Sequence, residues 1–164
     1  MRNQEILNEI NSILTNVCDD EQLKYHIIPV VNNAKELAGY FNAKMEIVEL
    51  SAYLHDITKI TGDRDKHHIT GAEYAENLLN KYDIPMDVIQ HVKKCIFNHR
   101  ASIDNPRETI EEKIVATADA MAGIQYPLPI FHTWYGKKKC NLRDGADEIK
   151  KKLDKSWKKL SFHM

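Results

Sequence analysis

The sequence predicts an all-α fold, a single-domain bundle of six or seven helices. Apolar residues recur at intervals of three and four along most of the chain, which is the spacing of one helix face. No segment shows the strict alternation of a half-buried strand, and no internal repeat is visible. The 164 residues match the length of one domain, and six glycines and five prolines are too few for a loop-rich chain.

The first two predicted helices occupy the N-terminal quarter of the chain. An apolar stripe predicts the first helix over residues 3–17: Ile6, Ile10, Ile13 and Leu14. Asp19 and Asp20 can cap the second helix, which we expect to run to about Tyr40. Because Pro29 lies inside this pattern, we predict either a kink or a helix that begins near residue 27.

The middle of the chain holds three more predicted helices. The third covers residues 44–59, and the polar stretch TGDRDKHH, residues 61–68, is predicted to be a loop. A fourth helix follows and ends before Pro85, which favours a new helix start. The fifth then runs from Met86 to Phe97.

The C-terminal third has a less regular pattern. We expect a loop at residues 100–107, a sixth helix over 108–122 and an irregular connection over 123–143, where aromatics, prolines and a lysine run show no clear period. A last helix over about 144–160 is predicted from a second apolar stripe: Ile149, Leu153, Trp157 and Leu160.

Charge is distributed unevenly along the chain. The net charge is −1, but residues 135–164 carry ten basic and four acidic residues, or +6, which leaves −7 on the first 134. This basic segment either attracts an anionic partner or forms a solvated helix face, because acids are interleaved with the lysines. Nucleic acid is disfavoured, since Trp157 and Phe162 are the only aromatics between these charges and Trp157 fits the apolar stripe.

The cysteines and the N-terminus predict a cytoplasmic protein. Three cysteines, Cys18, Cys95 and Cys140, fit neither a disulfide framework nor a CxxC zinc site, and they suit a reducing compartment. The first residues, MRNQEILNEINS, contain no apolar signal-peptide core, and no apolar run approaches 18 residues. We therefore expect no membrane segment.

The segment YLHDITKI, residues 53–60, raises a specific question about function. Burying His55 and Asp56 in this apolar surrounding costs several kcal/mol unless a partner satisfies them. Further histidines and an aspartate fall on other predicted helices or helix ends: His26, His67, His68, His91, His99 and Asp119. Inward-facing groups from several helices are how a bundle builds a metal site, and His with carboxylate suits Fe, Mn, Zn, Ni and similar ions.

Helical spacing removes one histidine from this set of candidate ligands and places a lysine beside one of the remaining ones. His91 and His99 are about 12 Å apart along a helix and cannot share one ion, and His99 is preferred because it lies at the helix end beside Arg100. Lys59 lies one turn after His55, on the same side of the helix. Its ammonium either meets an anion beside the ion or extends to water, and spacing leaves both open.

The ordered set His26 … His55-Asp56 … Asp119 resembles the H…HD…D signature of the HD-domain metal-dependent phosphohydrolase superfamily. The resemblance covers about residues 22–122 of a single domain spanning 1–164, and it leaves 123–164 as a C-terminal connection and helix without an assigned role. The flanking segments are also similar: YHIIPVVNNAKELA, AYLHDITKI, HHITGAEYAENLL, IFNHR and PRETIEEKIVATADAMAG. Three positions depart from the family pattern: Thr58, Thr117 and Ala120. These departures leave the ligand set intact, and they bear on how closely the substrate pocket matches that of better-known members.

The resemblance implies one or two divalent ions (Fe, Mn, Ni, Co, Zn or Mg), held by the residues that match the ligand positions of the family. The first ion would take four ligands: His26, His55, Asp56 and Asp119. A second would take His67 and His99, with Asp56 bridging, and His68 is the alternative to His67. Lys59 would neutralise a phosphoryl oxygen, and Arg100 is either a second phosphate contact or a surface arginine.

The activity implied by the resemblance is hydrolysis of a phosphate ester or anhydride in a small phosphorylated substrate, with a nucleotide as the expected class. Two alternatives share these residues. Relatives with the same six ligands hold two irons and activate O₂, and a non-catalytic module would use the site to bind a metal or a nucleotide. Sequence alone does not separate these possibilities, and it specifies neither the substrate nor the oligomeric state.

Overall fold

A computed structural model describes residues 2–100 and 106–161, with side chains from Gln4 onward. Helices account for all of its regular structure, and these residues contain no strand. Seven helices within them have ten or more residues: α1 (Arg2–Val17), α3 (Ile28–Phe41), α4 (Met45–Leu54), α6 (His67–Leu79), α7 (Met86–Asn98), α8 (Ile110–Gln125) and α10 (Leu142–Lys159). The predicted all-α bundle of six or seven helices is confirmed. Met1, residues 101–105, on which part of the predicted loop falls, and residues 162–164 lie outside this description.

The second predicted helix is continuous but changes its hydrogen bonding near Pro29. Asp19 caps the short α2 (Asp20–Gln22) by accepting from the amide of Gln22. A π-helical turn, Leu23–Ile27, then leads into α3, whose first turn holds Pro29. Pro has no amide hydrogen and its ring crowds the carbonyl four residues before it, so the α pattern starts afresh at this point. The expectation of a helix beginning near residue 27 agrees with this, and His26 lies in the widened turn.

The third predicted helix, 44–59, is interrupted at the histidine–aspartate pair. Helix α4 ends at Leu54, and α5 (Ile57–Ile60) follows after Asp56, whose φ of −111° and ψ of 9° are not helical. The Nδ1 of His55 lies 2.8 Å from the carbonyl of Ala52, which in a continuous helix accepts from the amide of Asp56. The break directs His55 and Asp56 to the same side of the molecule, so one straight helix was the wrong prediction here.

Helices α6, α7 and α8 begin where local chemistry favours a start. Helix α6 begins at His67, so the last two residues of the predicted 61–68 loop are helical. Pro85 precedes α7, as expected for a proline at a helix start. Thr109 and Glu112 form a capping box before α8, each satisfying the other's backbone amide. Helix α8 packs against α3, α4, α7 and α10 and is central to the bundle.

The C-terminal segment differs from the prediction in two ways. Residues 123–143 are largely helical rather than irregular: α8 extends to Gln125, and α9 (Leu128–Phe131) and a π-helical turn (His132–Lys137) follow. Helix α10 buries Gly145, Ile149, Ser156 and Lys159, a stripe with a spacing of about 3.5 residues that faces α8. Trp157 lies about 100° away from Ser156 and is 69% exposed, so its assignment to the buried stripe was wrong.

No helix in the described part of the chain is long and apolar enough to cross a bilayer. The three cysteines are free thiols, with Cys95 buried and Cys18 and Cys140 half-buried. The apolar core is contributed mainly by α1, α3, α4, α6, α7 and α8, and it surrounds a group of buried histidines and acids.

Candidate metal centre

The structure brings together the six residues that the sequence predicted as metal ligands. They come from the π-helical turn before α3, the break between α4 and α5, the start of α6, the residue after α7 and the middle of α8. In chain order these are His26, His55, Asp56, His67, His99 and Asp119. Because the contributing elements are helices of one packed core, the site is held by the fold and not by a flexible loop.

The first group of donor atoms surrounds Oδ2 of Asp56. The Nε2 of His26 lies 3.1 Å from this oxygen and 3.3 Å from Nε2 of His55. Asp119 contributes Oδ1, at 3.7 Å from His26 Nε2 and 3.9 Å from His55 Nε2. Donor atoms that share one ion at about 2.0–2.2 Å lie about 3–4 Å from one another. His26, His55 and Asp56 therefore form a group that can hold one divalent ion, and Oδ1 of Asp119 lies beside its two imidazoles.

The second group surrounds the other oxygen of the same carboxylate. The Nε2 atoms of His67 and His99 each lie 3.6 Å from Oδ1 of Asp56, and the three donors can share an ion. This Oδ1 is buried and has no hydrogen-bond partner among the described residues. A buried carboxylate oxygen without a partner costs about 1–3 kcal/mol or more, and a cation between it and the two imidazoles removes that cost. The orphaned oxygen is the clearest sign that these residues suit a metal ion.

Three of the histidines are oriented by the same backbone contact. The Nδ1 atoms of His55, His67 and His99 each lie against the carbonyl three residues earlier, that of Ala52, Arg64 and Ile96 respectively. A carbonyl only accepts, so each Nδ1 carries a hydrogen, and in the neutral form of each ring the lone pair is on Nε2. This second contact of the ring is how metal-binding histidines are held in the required tautomer.

Burial keeps the histidines in the form that binds metal. The side chain of His55 is fully buried, and this lowers its pKa from 6.5 to about 3. Burial likewise lowers the pKa of His67 to about 4. Both imidazoles are therefore neutral near neutral pH and require no deprotonation to accept a cation.

Two lysines balance the two carboxylates. Burial opposes ionisation of Asp56 and Asp119, but the ammonium groups of Lys59 and Lys159 together with the neighbouring imidazoles outweigh it and hold both pKa values well below the usual range. Lys59 pairs with Oδ2 of Asp56, and its side chain is 37% exposed. Lys159 pairs with Oδ2 of Asp119 and is only 5% exposed.

Lys159 was not predicted as part of the site. It lies ten residues after Ile149 on the buried stripe of α10, but it belongs to a lysine-rich segment with several solvated neighbours. Nothing in that local pattern separates a buried lysine from exposed ones.

The remaining candidates lie beside the six-residue group rather than in it. His68 packs against Phe97 with the rings tilted by 54° and their centroids 5.3 Å apart, and its Nδ1 is 3.3 Å from the guanidinium of Arg100. Arg100 also donates to the carbonyl of Asp65, so it rests on the loop before α6. Of the two neighbouring histidines, the structure places His67 near Asp56.

His91 and the unusual threonines have other partners. His91 lies 3.0 Å from the hydroxyl of Thr109, at the cap of α8 and away from the six-residue group. The Thr58 hydroxyl donates to the carbonyl of His67 and thereby joins α5 to the start of α6. The Thr117 hydroxyl accepts from the amide of Ser161, which ties the end of α10 to α8.

Comparisons with known proteins give the family of the chain and a similar fold. The family model for the HD domain matches residues 23–124, which is 102 of the 164 residues. An uncharacterized protein of Methanocaldococcus jannaschii, MJ0778, is 28% identical over 157 aligned positions that cover 88% of this chain and 85% of the relative. The crystal structure of a predicted HD superfamily hydrolase from an uncultured Thermotogales bacterium is similar in fold. Its TM-score is 0.63 at 21% identity, over 92% of this chain and 84% of that one.

The matched residues contain five of the helices that contribute to the core, and all six grouped histidines and aspartates fall within them. HD domains bind divalent metals, and the His–Asp groups described above can hold such an ion. The chain belongs to the HD-domain family.

Proposed function

We propose that this protein is a metal-dependent phosphohydrolase that cleaves a phosphate ester or anhydride of a small substrate, with nucleotides as the first class to test. The observation that carries the proposal is the Asp56 carboxylate, which offers one oxygen to each of two groups of imidazoles. The family supports it, as does the hydrolase name of the Thermotogales protein of similar fold.

The chain's own residues take defined parts in this proposal. His26, His55 and Asp119 would hold one ion together with Oδ2 of Asp56, and His67 and His99 would hold a second one with Oδ1. A bound divalent ion supplies an acidified water as nucleophile and draws charge from the phosphoryl oxygens. The fixed Nδ1 contacts of the histidines keep the donor atoms in place throughout.

Lys59 makes phosphate a suitable substrate group. Its ammonium pairs with Oδ2 of Asp56, and more than a third of its side chain reaches solvent. It therefore stands at the boundary between the buried carboxylate and the space open to a ligand. With a metal bound at that oxygen, the ammonium would be available to a phosphoryl oxygen, and Arg100, which lies beside His68, would offer a second cationic contact.

The test is a phosphohydrolase screen over nucleoside mono- and triphosphates, cyclic nucleotides and dinucleotides. Metal-stripped protein is supplied in turn with Mn²⁺, Co²⁺, Ni²⁺, Fe²⁺, Zn²⁺ or Mg²⁺, and released inorganic phosphate or nucleotide product is quantified. We expect turnover that requires metal and is absent in Asp56→Asn, while Asp87→Asn on the exposed start of α7 behaves as wild type.

Two other outcomes would contradict phosphohydrolase activity. Oxygen consumption by the iron-loaded protein, without product from any phosphate, would assign the site to oxygenase chemistry. Absence of turnover with every metal, despite bound metal, would leave a binding module.

A further inference from the structure

Helix α10 reaches the metal centre although it lies beyond the residues matched by the HD-domain model, 23–124. Its last turn places the ammonium of Lys159 on Oδ2 of Asp119, with the lysine side chain 5% exposed. The basic C-terminal segment was interpreted above as a solvated face or an anion-binding surface. For Lys159 neither description holds, since its charge points into the protein.

The two oxygens of Asp119 have separate partners. Oδ1 faces the imidazoles, at 3.7 Å from Nε2 of His26 and 3.9 Å from Nε2 of His55. Oδ2 is held by Lys159 on the other side of the carboxylate. A carboxylate pinned in this way presents one oxygen to an ion, and such partners of metal ligands are a regular part of metal sites.

The position of Lys159 is fixed by the packing of α10 on α8. The amide of Ser161 donates to the hydroxyl of Thr117, two residues before Asp119 on the same helix. Ser156 is buried, one turn before Lys159, and lies where a side chain at Gly123 would meet it. Contacts with α8 before and after Lys159 along the chain, at Ser156 and Ser161, therefore hold its ammonium against α8. Burying an ammonium with a single carboxylate partner brings little net stability, so stability alone does not explain a lysine here.

We propose that Lys159 is a positioning residue of the metal centre: it fixes the Asp119 carboxylate so that Oδ1 faces the ion, which makes α10 part of the site. This inference rests on the proposed metal centre, and it is independent of which substrate is cleaved. It also assigns a role to the C-terminal segment that the family resemblance left open.

The experiment measures Mn²⁺ affinity of the full-length, metal-stripped protein, by the electron paramagnetic resonance signal of free Mn²⁺ during titration. Lys159→Met should weaken binding at the site that includes Asp119 about 10–100-fold, the usual effect of losing a partner of a metal ligand. Lys159→Arg should restore most of the affinity, because it keeps a cationic donor. Lys158→Met is the matched control, because Lys158 is the neighbouring lysine on the same helix turn and its side chain is exposed.

A second variant guards against misfolding. Lys159→Gln keeps a hydrogen-bond donor without the charge, and thermal unfolding of each metal-free variant identifies the folded ones. The rival possibility is that Lys159 competes with the metal for Asp119. In that case replacing Lys159 would strengthen Mn²⁺ binding instead of weakening it. If folded Lys159→Met or Lys159→Gln binds Mn²⁺ as tightly as wild type, or more tightly, the positioning role is overturned while the metal centre stands. If wild type binds no divalent metal, the metal centre itself fails, and this inference with it.

Discussion

Replacing Asp56 by asparagine should remove both proposed ions with a single isosteric change. The Asp56 carboxylate gives Oδ2 to the group with His26 and His55 and Oδ1 to the group with His67 and His99. The substitution keeps the shape of the side chain but removes its charge and converts one oxygen to an amide. Each group therefore loses the anionic ligand that balances the ion.

These contacts set the expected loss of metal affinity. Losing a residue that only supports a metal ligand weakens affinity about 10–100-fold, so losing the shared ligand itself should exceed about 100-fold, or about 2.7 kcal/mol, at each site. The cost to the metal-free fold is smaller. Breaking a fully buried ion pair costs about 3–5 kcal/mol. The partner here, Lys59, is 37% exposed and can turn to water, so we expect a loss well below that figure.

The assay combines Mn²⁺ titration with elemental analysis of reconstituted protein, and circular dichroism reports the helical fold. Wild type should approach two ions per chain, and Asp56→Asn should retain helicity while binding almost none. Asp87→Asn again serves as the control. A folded Asp56→Asn protein that keeps the affinity and stoichiometry of wild type would refute the assignment of Asp56 as the shared ligand.

Three further predictions separate the roles of the other residues. Lys59→Met should lower turnover 10-fold or more, about 1.4 kcal/mol, with metal still bound, because the phosphoryl oxygen loses its cation; unchanged kinetics would assign Lys59 to solvent. His67→Ala combined with His99→Ala should reduce the metal content from two ions to one, measured by elemental analysis, and a wild type that saturates at one ion would show a mononuclear site. Stability of the metal-free protein should fall as pH decreases from 6.5 towards 4, because the folded-state pKa values of His55 and His67 are depressed to about 3 and about 4, and the unfolded chain takes up the protons first. The slope approaches about 1.4 kcal/mol per pH unit for each histidine, and a urea unfolding free energy that stays constant from pH 6.5 to 4.5 would contradict it.

The sequence was sufficient for most of the long helices and for the grouping of the six polar residues. Apolar periodicity located the long helices, because each buries one face in a common core. The six candidate ligands could be named because the resemblance to an ordered motif indicates which positions meet in space. Local spacing alone could not do this, since His26 and Asp119 are 93 positions apart and their contact depends on how α3 and α8 pack.

The failures came from interactions that periodicity does not encode. The helix break at His55-Asp56 depends on a side chain that contacts the backbone carbonyl of Ala52, and apolar spacing continues across it unchanged. The rotation of α10 was misjudged because a tryptophan on the edge of the stripe looked more apolar than Lys159. A buried lysine is recognisable only when its carboxylate partner, Asp119 on another helix, is known.

Diffraction from crystals soaked in Mn²⁺, with data collected to locate the anomalous scatterer, tests the central claim most directly. The metal centre described here predicts an anomalous peak within about 2.0–2.2 Å of donor atoms from His26, His55, Asp56 and Asp119. A second peak is expected between Oδ1 of Asp56 and the Nε2 atoms of His67 and His99. Density that shows no ion at Asp56, or an ion with any of the first four side chains turned away from it, would contradict the account.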